Sequence, residues 1–225
     1  MRTPPNPDEG LNREEIRAMR RAYGEIGLSE TDVATDPITQ FQSWLTAAAQ
    51  NPVIVEANAM VLSTVDSEGP QSRTVLLKEV TKDGFTFFTN YESRKARAIS
   101  VNPNVSLLFP WYPMERQVIV QGRAAKTSPE ISADYFATRP WSSQIGAWAS
   151  SQSQDLESRD ILRARYQEFA EKYPEGSSVP VPPHWGGFMV TPRAIEFWQG
   201  RYSRLHDRLL YSRVESGWQL SRLHP

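Results

Sequence analysis

Cysteine is absent from all 225 residues. That one absence excludes disulfide staples, thiol nucleophiles and thiolate metal sites together. No apolar run approaches the ~20 residues needed to cross a bilayer, and Met1 to Gly10 is polar and proline-rich, without the charged-then-apolar pattern of a signal peptide. The expected location is therefore cytoplasmic, with no membrane partner. An excess of either charge is also missing. Lys and Arg number 25 against 26 Asp and Glu, a formal net charge of −1, whereas nucleic-acid binding normally leaves a strongly basic balance. Glycine-rich dinucleotide fingerprints, phosphate loops and a serine-hydrolase elbow do not occur. His184, His206 and His224 lack metal-helix spacing, so no metal is expected. Chemistry must then come from dispersed residues or from a bound cofactor.

What is present is an ordinary globular composition, 39% hydrophobic and 23% charged, with seven Trp. Residues 1–19 read as a mobile arm and the start of a first helix, and residues 20–225 as one domain. Asn12 and Glu15 form a capping-box pair, and Ile16, Met19 and Tyr23 recur at helical spacing until Gly24 and Gly27. Asp36-Pro37 opens a second helix that carries Phe41, Trp44 and Leu45 and ends near Asn51-Pro52.

From Ala59 the pattern shortens. Met60–Val65, Arg73–Lys78, Phe85–Thr89, Val105–Phe109 and Gln117–Ala124 are short runs between Gly, Asp and Pro signals, as in an antiparallel meander. Ser93 is placed to cap a helix over Arg94–Val101, Ser128-Pro129-Glu130 starts one reaching Arg139-Pro140, and Ser158–Tyr173 makes a longer one. The tail holds runs at Gly187–Val190, Ala194–Trp198, Leu209–Arg213 and Trp218–Leu223. The sum is a mainly β, α+β fold of seven or eight strands with inserted helices. A meander of this size removes its exposed edges by closing into a barrel.

Four constellations carry candidate chemistry. Arg73-Thr74-Val75-Leu76-Leu77-Lys78 alternates faces on one strand, so Arg73 and Lys78 reach different sides. Ser93-Arg94-Lys95 sets two cations at a helix N-terminus, which favours an anion; beside the Arg73 strand it suggests a phosphate cradle. Tyr135 and Arg139 are four apart, near Ser143, and both donate hydrogen bonds suited to a phosphomonoester. Ile195-Glu196-Phe197-Trp198-Gln199 precedes Arg204-Leu205-His206-Asp207-Arg208, in which alternation on an extended segment puts Arg204, His206 and Arg208 on one face. Singly, each set also fits solvated surface or core packing.

Glu196-Phe197-Trp198-Gln199 with Arg204-Leu205-His206-Asp207-Arg208 resembles the signature of the pyridoxine/pyridoxamine 5′-phosphate oxidase family. The resemblance runs from about Arg20 to Pro225 and includes Phe109-Pro110-Trp111, Glu115-Arg116-Gln117 and Ser143-Gln144-Ile145-Gly146-Ala147-Trp148. It implies a split β-barrel homodimer with FMN in two clefts at the subunit interface. Arg73, Thr74, Val75, Leu76, Leu77, Lys78, Phe88, Thr89, Arg94, Lys95, Gln117, Gln152, Ser153, Trp198 and Arg208 would contact FMN. Lys78, Tyr135, Arg139 and Ser143 would hold the substrate phosphate, and Arg204 and His206 would lie over the pyridine ring as the catalytic pair. Arg20 and Tyr23 belong to a segment that resembles one closing over substrate. The implied reaction oxidises pyridoxine 5′-phosphate or pyridoxamine 5′-phosphate to pyridoxal 5′-phosphate, with O2 as acceptor, giving H2O2 and, from the amine, NH3. Rival readings are a flavin reductase-like flavoprotein with another substrate and a non-enzymatic pyridoxal phosphate carrier. Three features depart from relatives: Gly200-Arg201-Tyr202-Ser203 is bulkier and more basic, Phe88 stands where Tyr is frequent, and Trp141 is unfamiliar beside the phosphate residues.

Overall fold

The computed structural model describes residues 12–19 and 22–225. The arm expected over residues 1–11 lies outside the described residues, as does Arg20. Helix α1 (Arg13–Ala18) begins as its capping box predicts, with the Asn12 side chain accepting from the Glu14 and Glu15 N–H groups. It ends after 6 residues and buries none of them, so Tyr23 is not on it. A helix this short has little to sustain it without apolar packing. The chain beyond is held by other means: the Gly24 N–H donates to Glu115 Oε2 at 2.8 Å.

Helix α2 (Pro37–Gln50) starts at Asp36, whose Oδ2 accepts from the Thr39 N–H at 2.8 Å and the Thr39 hydroxyl at 2.9 Å. Ile38, Phe41, Trp44 and Ala48 on it are buried. Asp36→Ala is expected to lower stability by about 1 kcal/mol, the usual worth of such a cap. Thermal unfolding reads this directly, and an unchanged midpoint would mean that the cap contributes nothing.

The remaining elements are β1 (Ala59–Asp66), β2 (Gly69–Leu76), β3 (Glu79–Thr81), β4 (Gly84–Asn90), α3 (Arg94–Val101), β5 (Asn104–Trp111), β6 (Arg116–Lys126), α4 (Pro129–Ala137), α5 (Trp141–Ala149), α6 (Arg159–Lys172), β7 (Trp185–Gln199), β8 (Asp207–Val214) and β9 (Gly217–Leu223). All strand pairs are antiparallel, and nine strands share one sheet in the order β2-β1-β5-β6-β7-β4-β3, with β8 on β7 and β9 on β8.

Strand β7 joins two runs that the sequence separates at Pro192. The register slips between Gln121 and Gly122, opposite Pro192. A bulge is where a strand tolerates a residue without an N–H. One edge of β7 pairs with β6 from Phe188 to Gln199, while the other pairs first with β4 and then with β8.

Alternation on the strands aims Met60 and Leu62, Leu107 and Phe109, Val118 and Val120, and Ile195 and Phe197 inward. Phe41 of α2 meets Phe85 at 4.9 Å and Phe109 at 4.8 Å between ring centroids, edge to face, the favoured aromatic geometry. A second cluster forms around Phe136, Ile145, Val179 and Trp185, with Trp141, Trp148, Phe169 and Tyr173 against it. Trp141 is fixed there by its indole N–H, which donates to the Tyr173 carbonyl at 2.9 Å. No helix among the described residues is long and apolar enough to cross a membrane.

Candidate active site

A cavity of about 980 Å³ opens between β2, β4, the start of α3 and the α4–α5 corner. Arg73, Thr74, Val75, Leu76 and Lys78 line one side, Phe88, Thr89, Arg94 and Lys95 another, and Tyr135, Arg139, Ser143, Gln152 and Ser153 the rest. Consecutive residues of β2 border it, and β2 ends the sheet, pairing only with β1. An edge strand leaves backbone N–H and C=O groups open to a ligand. Leu77 does not line the cavity: it is 4% exposed in the core, its N–H donates to the Asn58 carbonyl, and its carbonyl accepts from Asn58 Nδ2.

Five cations line this space (Arg73, Lys78, Arg94, Lys95 and Arg139), and among the described residues no Asp or Glu does. Lys95 is 8% exposed, and its Nζ donates to Thr89 Oγ1 at 3.2 Å, Ser93 Oγ at 3.4 Å and Gln152 Oε1 at 3.0 Å. Burial, then the Arg73 guanidinium, push its amine down to about 8. Ser93 stands at the N-cap of α3 as expected but makes no side-chain cap bond. Its hydroxyl accepts from Lys95 instead. Arg73 donates to Thr64 Oγ1 at 2.8 Å and to the Leu62 and Gln71 carbonyls, and burial lowers its pKa. Among the described residues, Arg94 is the one of the five in a salt bridge, with Asp66 and the exposed Glu68.

At the α4–α5 corner, α4 stops at Ala137, so Arg139 lies past the helix and not on the same helical face as Tyr135. Pro140 ends one helix and caps the next, and α5 is a helix the sequence did not announce. Gln144 braces the corner by donating to the Phe136 carbonyl at 2.8 Å. The Arg139 guanidinium lies 5.0 Å from the Trp185 ring centre, and burial lowers its pKa. Its Nη1 is the one buried side-chain nitrogen or oxygen without a hydrogen-bond partner among the described residues.

Phe88 stacks on Tyr135 at 4.1 Å and on Trp185 at 5.4 Å, nearly parallel to both. The phenylalanine at this position thus offers a ring face, needing no hydroxyl. Trp185 was missed in the sequence, although Gly186-Gly187 beside it is a signal of close approach. A Cβ on Gly186 would sit 2.2 Å from the Tyr91 hydroxyl.

The remaining candidates lie off this cavity. Gln117, Trp198 and Arg208 stand side by side on β6, β7 and β8, in register as Gln117↔Trp198 and Trp198↔Arg208. Glu196 grips Arg208 through two hydrogen bonds, Nε–Oε1 at 2.7 Å and Nη2–Oε2 at 3.0 Å. His206 packs on Trp198 at 4.7 Å, and Tyr23 meets both rings edge-on, at 5.8 Å and 5.2 Å. Arg204 departs from the extended segment expected of it. Tyr202–Arg204 is a 3-10 turn in which Ser203 (φ 55) and Arg204 (φ 62) are left-handed, closed by the Leu205 N–H on the Tyr202 carbonyl. Arg204 therefore does not share a strand face with His206 and Arg208.

Comparison with known proteins agrees with this geometry. A family described as pyridoxamine 5′-phosphate oxidase matches residues 46–173, and one described as the pyridoxine 5′-phosphate oxidase C-terminal dimerisation region matches residues 185–225. The pyridoxine/pyridoxamine 5′-phosphate oxidase of Streptomyces avermitilis is 53% identical over 213 residues, covering 92% of this chain and 95% of the relative. That of Paraburkholderia xenovorans is 54% identical over 215 residues, covering 93% and 99%. Among solved structures, PhzG from Burkholderia lata, in complex with tetrahydrophenazine-1-carboxylic acid, has a TM-score of 0.83 at 29% identity, over 90% of this chain and 99% of that one. A pyridoxamine 5′-phosphate oxidase-related, FMN-binding protein from Nostoc punctiforme has a TM-score of 0.66 at 15% identity, over 89% and 100%, and shares the split-barrel fold.

Proposed function

The chain belongs to the pyridoxine/pyridoxamine 5′-phosphate oxidase family, and on that premise we propose that it oxidises pyridoxine 5′-phosphate and pyridoxamine 5′-phosphate to pyridoxal 5′-phosphate, with FMN as cofactor and O2 as acceptor. The observation that carries this reading is the cavity lined by five cations and, among the described residues, by no carboxylate. Cofactor and substrate each bring a phosphate, and such anions would supply countercharge to Arg73, Lys78, Lys95 and Arg139, which have no salt bridge among the described residues. The fit is local as well. Arg73, Arg94 and Lys95 with Thr89, Gln152 and Ser153 make one basic group, suited to the FMN phosphate. Lys78, Tyr135, Arg139 and Ser143 make a second, suited to the substrate phosphate, where Arg139 has a donor to spare. Bound FMN would supply the two-electron redox chemistry that oxidation of the substrate at C4′ and reduction of O2 to H2O2 require. The alcohol then yields the aldehyde, and the amine yields an imine that hydrolyses to the aldehyde and NH3.

Trp198, Arg208 and Gln117, with Arg204, His206 and Tyr23, would complete the site from a second copy of the chain. Support comes from their absence from the lining of the cavity in their own chain. The segment similar to a dimerisation region, residues 185–225, also carries Trp198, Arg204, His206 and Arg208. In such a homodimer Arg204 and His206 act by positioning the pyridine ring, where small displacements cost large rate factors.

Likeness to PhzG gives the second reading, the same flavoprotein scaffold acting on a different ring system. An absorbance spectrum of purified protein, taken before and after anaerobic addition of pyridoxamine 5′-phosphate, separates the two. Flavin bands are expected to bleach with substrate and recover in air as pyridoxal phosphate forms. Bands that stay unbleached with both B6 phosphates would favour another substrate, and a protein that FMN cannot reconstitute would end both readings.

A further inference from the structure

The loop Gly200–Ser203, singled out in the sequence as bulkier and more basic than in relatives, is the structural neighbour of His206. The Arg201 N–H donates to His206 Nδ1 at 3.0 Å. An imidazole nitrogen that accepts a hydrogen bond carries no proton, so in the neutral ring the proton resides on Nε2. The side chain of Arg201 turns the other way. Its Nη1 lies 3.4 Å from Asp207 Oδ2 and covers Gly27, where a Cβ would come within 2.9 Å of it. Asp207 Oδ2 also accepts from the Leu28 N–H at 3.0 Å. Arg222 donates to Asp207 Oδ1 and to the Leu28 carbonyl, the latter at 2.9 Å, and holds Glu30 as well. Residues Tyr23 to Glu30 are thus strapped across the His206 loop, which places the Tyr23 ring 5.2 Å from His206.

We infer that Arg201 is a positioning residue for the proposed oxidase reaction: its backbone N–H fixes His206 as the Nε2–H tautomer, and its side chain ties the Tyr23 segment over it through Asp207. The inference rests on the proposed function. Its chemical consequence is specific. Substrate meets His206 as a hydrogen-bond donor at Nε2, and the one lone pair that could take a proton from the C4′ substituent is already occupied at Nδ1. His206 then orients the substrate and does not act as its base. The groups facing His206 agree with a neutral ring: burial first, and the neighbouring Arg204 second, lower its pKa. Asp207 remains ionised to anchor the strap. Burial raises its pKa, but hydrogen bonds from Leu28, Arg222 and Arg201 outweigh that.

The test is the ¹⁵N spectrum of the histidine side chains in the FMN-loaded protein, with His206 assigned by its loss in His206→Gln. The expected wild-type result at neutral pH is a protonated Nε2 and a bare Nδ1. Arg201→Gly keeps the backbone N–H on Nδ1 and loses only the tie to Asp207, so it is expected to leave the Nε2–H tautomer in place while loosening the Tyr23 segment. It should also raise KM for pyridoxine 5′-phosphate roughly tenfold, with a smaller change in kcat. Asp207→Asn, which keeps the shape and weakens the strap, is expected to raise KM the same way by less. A proton on Nδ1 in the wild type would overturn the inference, and so would an Arg201→Gly protein whose KM is unchanged. The spectrum does not depend on turnover, so failure to oxidise either B6 phosphate would count against the proposed function and leave the tautomer assignment to its own result.

Discussion

Arg139→Met is expected to lower kcat/KM for pyridoxine 5′-phosphate by roughly 30-fold to nearly a thousandfold, mostly through KM, while FMN content stays normal. The range follows from the loss of a charged hydrogen-bonding partner in a desolvated site, about 2–4 kcal/mol. Arg139 is the residue for which that reasoning is strongest. Its guanidinium lies over the Trp185 ring, burial works against its charge, and Nη1 has no partner among the described residues. A buried donor left unsatisfied costs free energy, so a group kept in that state is set up to be satisfied by a ligand. Removing it should not harm the fold: methionine fills much of the same volume, and the unpaired donor goes with it. Equal thermal midpoints with a collapsed kcat/KM would be the mark of a binding residue. Arg139→Lys is expected to recover only part of the loss, because a point charge cannot present the planar fork that matches a phosphate. Steady-state kinetics on FMN-saturated protein settles the matter, and an unchanged KM would remove Arg139 from the phosphate site.

Much of this arrangement was legible in the sequence, and the misses have physical causes. The strands of the meander, the helix starts at Asn12, Asp36 and Ser128, and an α+β fold follow from period and punctuation. The antiparallel sheet bears out the split-barrel expectation. Strand β7 reads as two runs because Pro192 interrupts its apolar pattern, and the bulge that accommodates the proline is a property of two strands together. Helix α5 was hidden by Pro140, which looks like a stop and serves as both stop and start. The Arg204 turn was hidden for a different reason. Alternating residues read as a strand, whereas Ser203 and Arg204 adopt left-handed backbone that favours glycine. The cavity residues on β2, β4 and α3 were found as local groups, since a strand edge and a helix start declare themselves nearby in sequence. The rung Gln117, Trp198 and Arg208 was not visible as a rung, because register between strands far apart in the chain is set by long-range pairing.

Lys95→Met is expected to weaken FMN binding roughly tenfold to a hundredfold, the worth of a hydrogen bond to a charged group, about 1.5–3 kcal/mol. It should also flatten the pH dependence of that binding. The wild-type dependence has a definite sign. In the FMN-free protein the Lys95 amine is pushed down to about 8 by burial and by Arg73. Below that pH it is an ammonium ion and a partner for a phosphate dianion; above it the charge is lost. The phosphate does not change over the same interval, because its second pKa is about 6. Affinity for FMN should therefore be highest below about pH 8 and fall as the pH rises through it. Bound phosphate stabilises the ammonium form and raises its pKa, so binding near pH 8 should take up a fraction of a proton. Calorimetry of FMN binding in buffers of different ionisation enthalpy measures that uptake, and a series of dissociation constants between about pH 7 and 10 measures the slope. The neighbours of Lys95 cannot hold its charge in place of the ligand, since Thr89, Ser93 and Gln152 offer only neutral oxygens. A dissociation constant that stays flat over the range in the wild type, with no proton taken up, would show that Lys95 does not meet the phosphate. The basic group of Arg73, Arg94 and Lys95 would then have to hold another part of the cofactor.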